Sequence, residues 1–123
     1  MSTVWPTEIR LSKDKRTLHV AFDDGAAFDL SAEYLRTQSP SAEVQGHAAS
    51  ERKTVPGKSG VQIIGVEPVG NYAVRLVFDD MHQTGLFSWT YLRELGDRHG
   101  EKWAAYLAEL AEKGLSRDPV RRR

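Results

Sequence analysis
The segment FDDMHQTGLFSWTYLR at residues 78–93 repeats the segment FDDGAAFDLSAEYLR at residues 22–36, with one extra residue in its turn. No other feature of the chain constrains its fold as much, because the same strand, turn and helix signals in the same order define the same supersecondary unit twice. The match runs residue by residue: Phe22 with Phe78, Asp23 and Asp24 with Asp79 and Asp80, Ser31 with Ser88, and Tyr34, Leu35 and Arg36 with Tyr91, Leu92 and Arg93. Upstream, Ile9 and Leu11 before a polar turn correspond to Ile64 and Val66 before a second turn. Chance recurrence of such signals is the competing account. Both accounts predict the same architecture, an α+β chain of two β-β-β-α units.

Within the second copy, Tyr72, Val74, Leu76 and Phe78 alternate with Ala73, Arg75 and Val77, the period of a half-buried strand. Gly85 permits the reversal that follows, and Leu86 and Phe87 resume the apolar pattern. Ser88 is placed to cap a helix whose stripe is Trp89, Leu92 and Leu95, with Gly96 as its stop and Trp89 as a core anchor. One three-stranded sheet with one helix buries little; two such units share a core, giving a two-layer sheet-and-helix domain over residues 1–96. Trp103, Tyr106, Leu107, Leu110 and Ala111 then mark an amphipathic C-terminal helix within residues 97–114, stopped by Gly114, and residues 115–123 read as a basic, flexible, solvated tail.

Charge and cysteine content remove whole classes of function. Seventeen Lys and Arg balance seventeen Asp and Glu, so nothing draws the chain to nucleic acid or to an anionic membrane. Without cysteine there is no disulfide, no thiolate zinc site, no cysteine-ligated cluster and no cysteine nucleophile. No apolar run is long enough to span a bilayer, and the expected compartment is the cytoplasm. The polar passage at residues 37–60 is expected to be mobile or functional, with mobility favoured for ERKTVPGKSG. Gly57, Lys58 and Ser59 lack the earlier glycine of a phosphate-binding loop, since Arg52 stands there.

Asp79, Asp80 and His82 form the densest group of ligand-type side chains, in a turn where they are solvated, contact a partner, or hold a metal through His82 with Asp80. Asp23 and Asp24 occupy the equivalent turn without a histidine, which favours a turn-forming role. Arg36 and Arg93 are expected to pair with carboxylates or helix ends, with anion binding as the alternative. The four histidines are scattered and none adjoins a nucleophile motif, so no catalytic set is expected.

FDLSAEYLRTQSPSAEVQGH at residues 28–47, GVEPVGNYAVRLVFDDMHQTGLFSWTYLRELG at residues 65–96 and PTEIRL at residues 6–11 resemble the gamma-butyrobetaine hydroxylase-like N-terminal domain family, in its stand-alone bacterial form. The resemblance implies a compact α+β domain that occurs before the catalytic domain of carnitine-pathway dioxygenases, fused to Mrp-type iron–sulfur carrier ATPases, and alone. It brings no activity with it. In the dioxygenases the family pattern implies a zinc ion held by three cysteines and a histidine; the matching positions here are Ser39, Ser41, Val44 and His82, of which only the histidine is kept, and no cofactor is expected. Met81 stands where the family has glycine. The expected function is a non-catalytic interaction module with a protein partner, an Mrp-type ATPase in iron–sulfur cluster maturation; the alternative is a protein that binds iron or zinc through His82 and neighbouring carboxylates.

Overall fold
The computed structural model describes residues 5–39, 55–80 and 86–118. Two three-stranded antiparallel sheets, each followed by a helix, and a further C-terminal helix make an α+β domain. The first unit contains β1 (Pro6–Leu11), β2 (Thr17–Phe22), β3 (Ala27–Ser31) and α1 (Ala32–Thr37); the second contains β4 (Ile63–Val69), β5 (Ala73–Phe78), β6 (Leu86–Ser88) and α2 (Trp89–Asp97). The last helix, α3, spans His99–Glu112.

Alternation sets the inner faces. Leu18, Val20 and Phe22 on β2 and Val74, Leu76 and Phe78 on β5 enter one shared core with Leu30, Ile63, Phe87, Leu92 and Leu95. Tyr72 does not join them: it belongs to the turn before β5 and is exposed, because β5 begins only at Ala73. The helices α1 and α2 start as their serines predict. Ser31 Oγ accepts from the Tyr34 amide at 3.0 Å, and Ser88 Oγ accepts from the Tyr91 amide at 3.1 Å.

The units match further than their local signals. Each first strand slips register at the same place, between Pro6 and Glu8 and between Ile63 and Gly65. This bulge corrects the upstream alignment. Ile9 corresponds to Val66 and Leu11 to Pro68, while Ile64 is the bulged residue, equivalent to Thr7.

The helix tyrosines then cross over. Tyr34 Oη donates to the Leu95 carbonyl at 2.7 Å and Tyr91 Oη donates to the Gln38 carbonyl at 2.5 Å, so each tyrosine reaches the carbonyl at the equivalent position of the other unit. Chance recurrence of local patterns does not predict corresponding long-range partners. Such reciprocity is the contact pattern of an isologous interface, here within one chain, and it favours duplication.

Trp89 is half-buried rather than a core anchor. Its backbone amide donates to the Tyr72 carbonyl at 3.0 Å and its indole Nε1 to the Asn71 carbonyl at 2.8 Å, fastening α2 to the β4–β5 turn, while Phe87 takes the fully buried place. Gly96 does not end its helix either, since α2 continues to Asp97. A Cβ at Gly96 would lie 2.5 Å from Cγ of Phe28, at the root of that ring. Alanine would gain about 1 kcal/mol of helix propensity on an isolated helix, but overpacking against a ring held at its base costs about 1–3 kcal/mol. Gly96→Ala is therefore expected to destabilise, with the urea midpoint moving down; an unchanged or higher midpoint would refute this account of the glycine.

The C-terminal helix docks on α1. The Tyr34 ring lies 4.4 Å from that of His99 and edge-on to Trp103 at 6.1 Å, and Tyr106 and Leu110 are buried. Gly114, at φ 65, closes α3 as expected, with the Leu115 amide donating to the Leu110 carbonyl at 2.8 Å. Among the described residues no helix is long and apolar enough to cross a membrane.

Candidate functional site
The duplicated Arg and Asp positions form two crossed ion pairs. Arg36, on α1 of the first unit, donates from Nε to Asp80 Oδ2 of the second unit at 2.8 Å. Arg93, on α2 of the second unit, donates from Nη1 to Asp24 Oδ2 of the first unit at 2.8 Å. The four predicted binding residues thus do not make one site: Arg36 and Asp80 meet, Arg93 lies at the other junction, and His82 falls outside the described residues. Pairing with carboxylates, the structural role expected for both arginines, is the one observed.

The two junctions differ in burial and company. The Arg36 side chain is 5% exposed and Asp80 is half-buried, and Lys58 Nζ adds a third charge 2.6 Å from the same Asp80 oxygen. Arg93 is 23% exposed; it also donates from Nε to both oxygens of Asp97, at 3.1 and 3.0 Å, and lies over the rings of Phe22 and Phe28 at 5.4 and 5.9 Å. The Arg93 hydrogen bond, helped by the Ala26 amide, holds the Asp24 carboxyl below its ordinary pKa.

For chemistry, the important fact is that Asp80 Oδ2 carries two cationic groups. A divalent metal at Asp80 would meet the repulsion of both. Among the described residues no group of three His, Asp or Glu side chains is arranged to hold a metal. At the zinc positions implied by the family pattern, Ser39 is fully buried, and Ser41 and Val44 lie outside the described residues. A neutral hydroxyl and a valine do not replace thiolates, so this donor set does not fit the ion.

Two polar segments bond to distant parts of the chain. The part of the polar passage that is described, residues 55–60, is tied down: the Val55 carbonyl accepts from Tyr106 Oη at 2.6 Å, and the Gly57 and Ser59 amides donate to the Ser116 and Arg117 carbonyls at 2.9 and 3.0 Å. The same bonds anchor the first part of the tail. Arg117 clasps Glu33 of α1 with Nε and Nη2 at 2.8 and 2.7 Å, and its guanidinium lies 5.3 Å from the Trp103 ring centre. Periodicity could not reveal Lys58, Glu33 or Arg117, because each is paired with a residue far away in the chain.

The outer faces of the two sheets diverge. On the first, His19 Nδ1 lies 2.8 Å from Asp29 Oδ1 and its Nε2 3.4 Å from Glu8 Oε1, a polar face of three adjoining strands. On the second, the register puts Gly65 where the first has Glu8, Leu86 where it has Asp29, and the bulged Ile64 where it has Thr7. Ile64 is 51% exposed and Leu86 38%.

A twofold-repeated α+β domain with charged junctions between its halves is the class these features define. The model of the family described as gamma-butyrobetaine hydroxylase-like, N-terminal, matches residues 9–93, and the chain belongs to that family. Similar solved structures include two determined by NMR in solution. One is 48% identical with a TM-score of 0.82, covering 98% of this chain and 95% of the other; the second is 44% identical with a TM-score of 0.82, covering 99% and 91%. A crystal structure of a protein of unknown function from Acidithiobacillus ferrooxidans, in the DUF971 family, is 41% identical with a TM-score of 0.62 over 74% of this chain and 91% of that one. No curated protein matches the chain.

Proposed function
We propose that the domain is a non-catalytic interaction module that docks on a protein partner through the outer face of β4, β5 and β6. The observation that carries this reading is the divergence of the two outer faces. The same backbone, in the first unit, is served by Thr7, Glu8 and Asp29; the fold does not require Ile64, Gly65 and Leu86 in their places. Half-exposed apolar side chains that folding does not demand are a cost in solubility, and burial against a partner offsets it.

The partner we propose is an Mrp-type iron–sulfur carrier ATPase in the cytoplasm, acting in cluster maturation, since domains of the resembling family occur fused to such ATPases. The module works without a resident zinc ion. The twofold repeat supplies an internal control for the test. Leu86→Asp and Ile64→Thr install the residues that the first unit already carries at these positions, so each is expected to change stability by no more than about 0.5 kcal/mol. Together they are expected to weaken binding to the purified ATPase by at least about tenfold, which is 1.4 kcal/mol. Undiminished binding by the folded double variant would retire the sheet face. Capture of the chromosomally tagged protein tests the partner separately: enrichment of a different protein, released by the same double variant, would keep the face and reject the ATPase.

A further inference from the structure
The contact between the tail and α1 has the form of a recognition site with its ligand in place. Glu33 is 7% exposed, and Arg117 engages both of its carboxylate oxygens in a fork-on-fork pair. Trp103 offers its ring to the same guanidinium, and the Gly57 and Ser59 amides donate to the Ser116 and Arg117 carbonyls, the peptide groups on either side of Arg117. Planar charge recognition, an aromatic face and backbone amides are three separate determinants, and all converge on an arginine within an extended segment.

The two sides of this contact are unequal. Glu33, Gly57, Ser59 and Trp103 belong to the framework of α1, α3 and the loop between the units, whereas residues 115–118 are exposed along their length. If the tail departs, a nearly buried carboxylate loses its counter-charge, while Tyr106 on the Val55 carbonyl and Asp80 on Lys58 still hold the loop that carries Gly57 and Ser59, so the site keeps its demand for a guanidinium. Segments with exposed backbone hydrogen bonds and little buried apolar surface are the ones that open locally.

We propose that Glu33, Trp103 and the amides of Gly57 and Ser59 form a binding site for an arginine-bearing extended peptide of another protein, and that the chain's own Ser116 and Arg117 fill it in cis as an autoinhibitory contact. A tethered segment competes at an effective concentration on the order of millimolar, so the site answers weakly to an outside peptide until the tail is displaced. The site shares no residue with the outer sheet face, and its test needs no partner protein.

The test uses the full-length chain and an acetylated, amidated tetrapeptide Leu-Ser-Arg-Asp, copying residues 115–118, followed by NMR. In Arg117→Ala the peptide is expected to move the amide signals of Gly57 and Ser59 and the indole N–H of Trp103. Replacing the peptide's arginine by alanine is expected to weaken binding at least about tenfold, as is wild-type protein with its tail in place. Adding Glu33→Gln to the variant is expected to abolish the response while the spectrum stays dispersed. A folded Arg117→Ala protein whose signals do not move at millimolar peptide overturns the proposal. Hydrogen exchange on the wild type decides the matter even if the variant does not fold. Release of the tail predicts that the Gly57 and Ser59 amides exchange roughly a thousandfold faster than that of Val20; protection equal to the core's overturns it.

Discussion

Tyr34→Ala is expected to remove about 3–5 kcal/mol of stability, the usual cost of emptying a buried aromatic site. Against the roughly 5–15 kcal/mol that holds a domain together, that is a large share. Tyr34 is completely buried, its ring supports His99 and Trp103 of α3, and its hydroxyl satisfies the Leu95 carbonyl of the other unit. Tyr34→Phe separates these roles by keeping the ring and orphaning the carbonyl, at about 1–2 kcal/mol.

The pH dependence of stability distinguishes the two variants from a general loosening. Burial raises the Tyr34 pKa above its ordinary 10 and pushes that of Tyr106 up to about 12. Above pH 10 the unfolded chain releases these protons while the folded chain keeps them. The contribution is therefore complete below pH 10 and lost as pH rises toward the folded values. The urea midpoint should fall between pH 10 and 12, and fall less steeply in Tyr34→Phe, where one of the two groups is gone. Equal slopes for variant and wild type would mean that Tyr34 is not shielded as described.

Arg36→Ala and Arg93→Ala remove equivalent residues, yet their effects should differ. Arg36 is nearly buried, and its loss leaves a half-buried Asp80 with Lys58 as its remaining described cation. We expect a cost of about 3 kcal/mol, at the low end for breaking a buried pair because Lys58 continues to neutralise the carboxylate. Arg93 is more exposed, and water can solvate Asp24 once the guanidinium is gone, so the loss should be clearly smaller. Paired urea titrations give the comparison directly. If Arg93→Ala proves the more damaging, its packing over Phe22 and Phe28 outweighs the difference in burial.

Much of this architecture was legible because local chemistry carried it. Ser31 and Ser88 cap where hydroxyl and amide fall three residues apart, and Leu18, Val20 and Phe22 enter the core because alternation counts faces. Alternation does not say where a strand begins, and so Tyr72 looked like a core residue. A glycine near a helix end has the same letter whether it stops the helix or makes room for Phe28; only the packed structure separates the two at Gly96. The repeated Arg-Asp pattern announced equivalence but not crossing. Which carboxylate each arginine meets depends on how the two units sit against one another, and no local period records that. Lys58 and Arg117 lay in polar stretches that read as solvated, because the partners that hold them are distant in sequence. His82, the residue on which the metal alternative turned, lies outside the described residues.

The crossing of the two Arg-Asp pairs has a consequence for how such a protein can change over time. In two identical copies of one unit, every substitution acts twice, and a greasy residue on one sheet appears on both. Joining the copies in a single chain keeps the shared interior while freeing each surface to vary alone. One half can then remain a water-facing scaffold with Glu8, His19 and Asp29, and the other can carry Gly65, Arg75 and Leu86 in their places without disturbing the seam that both halves complete.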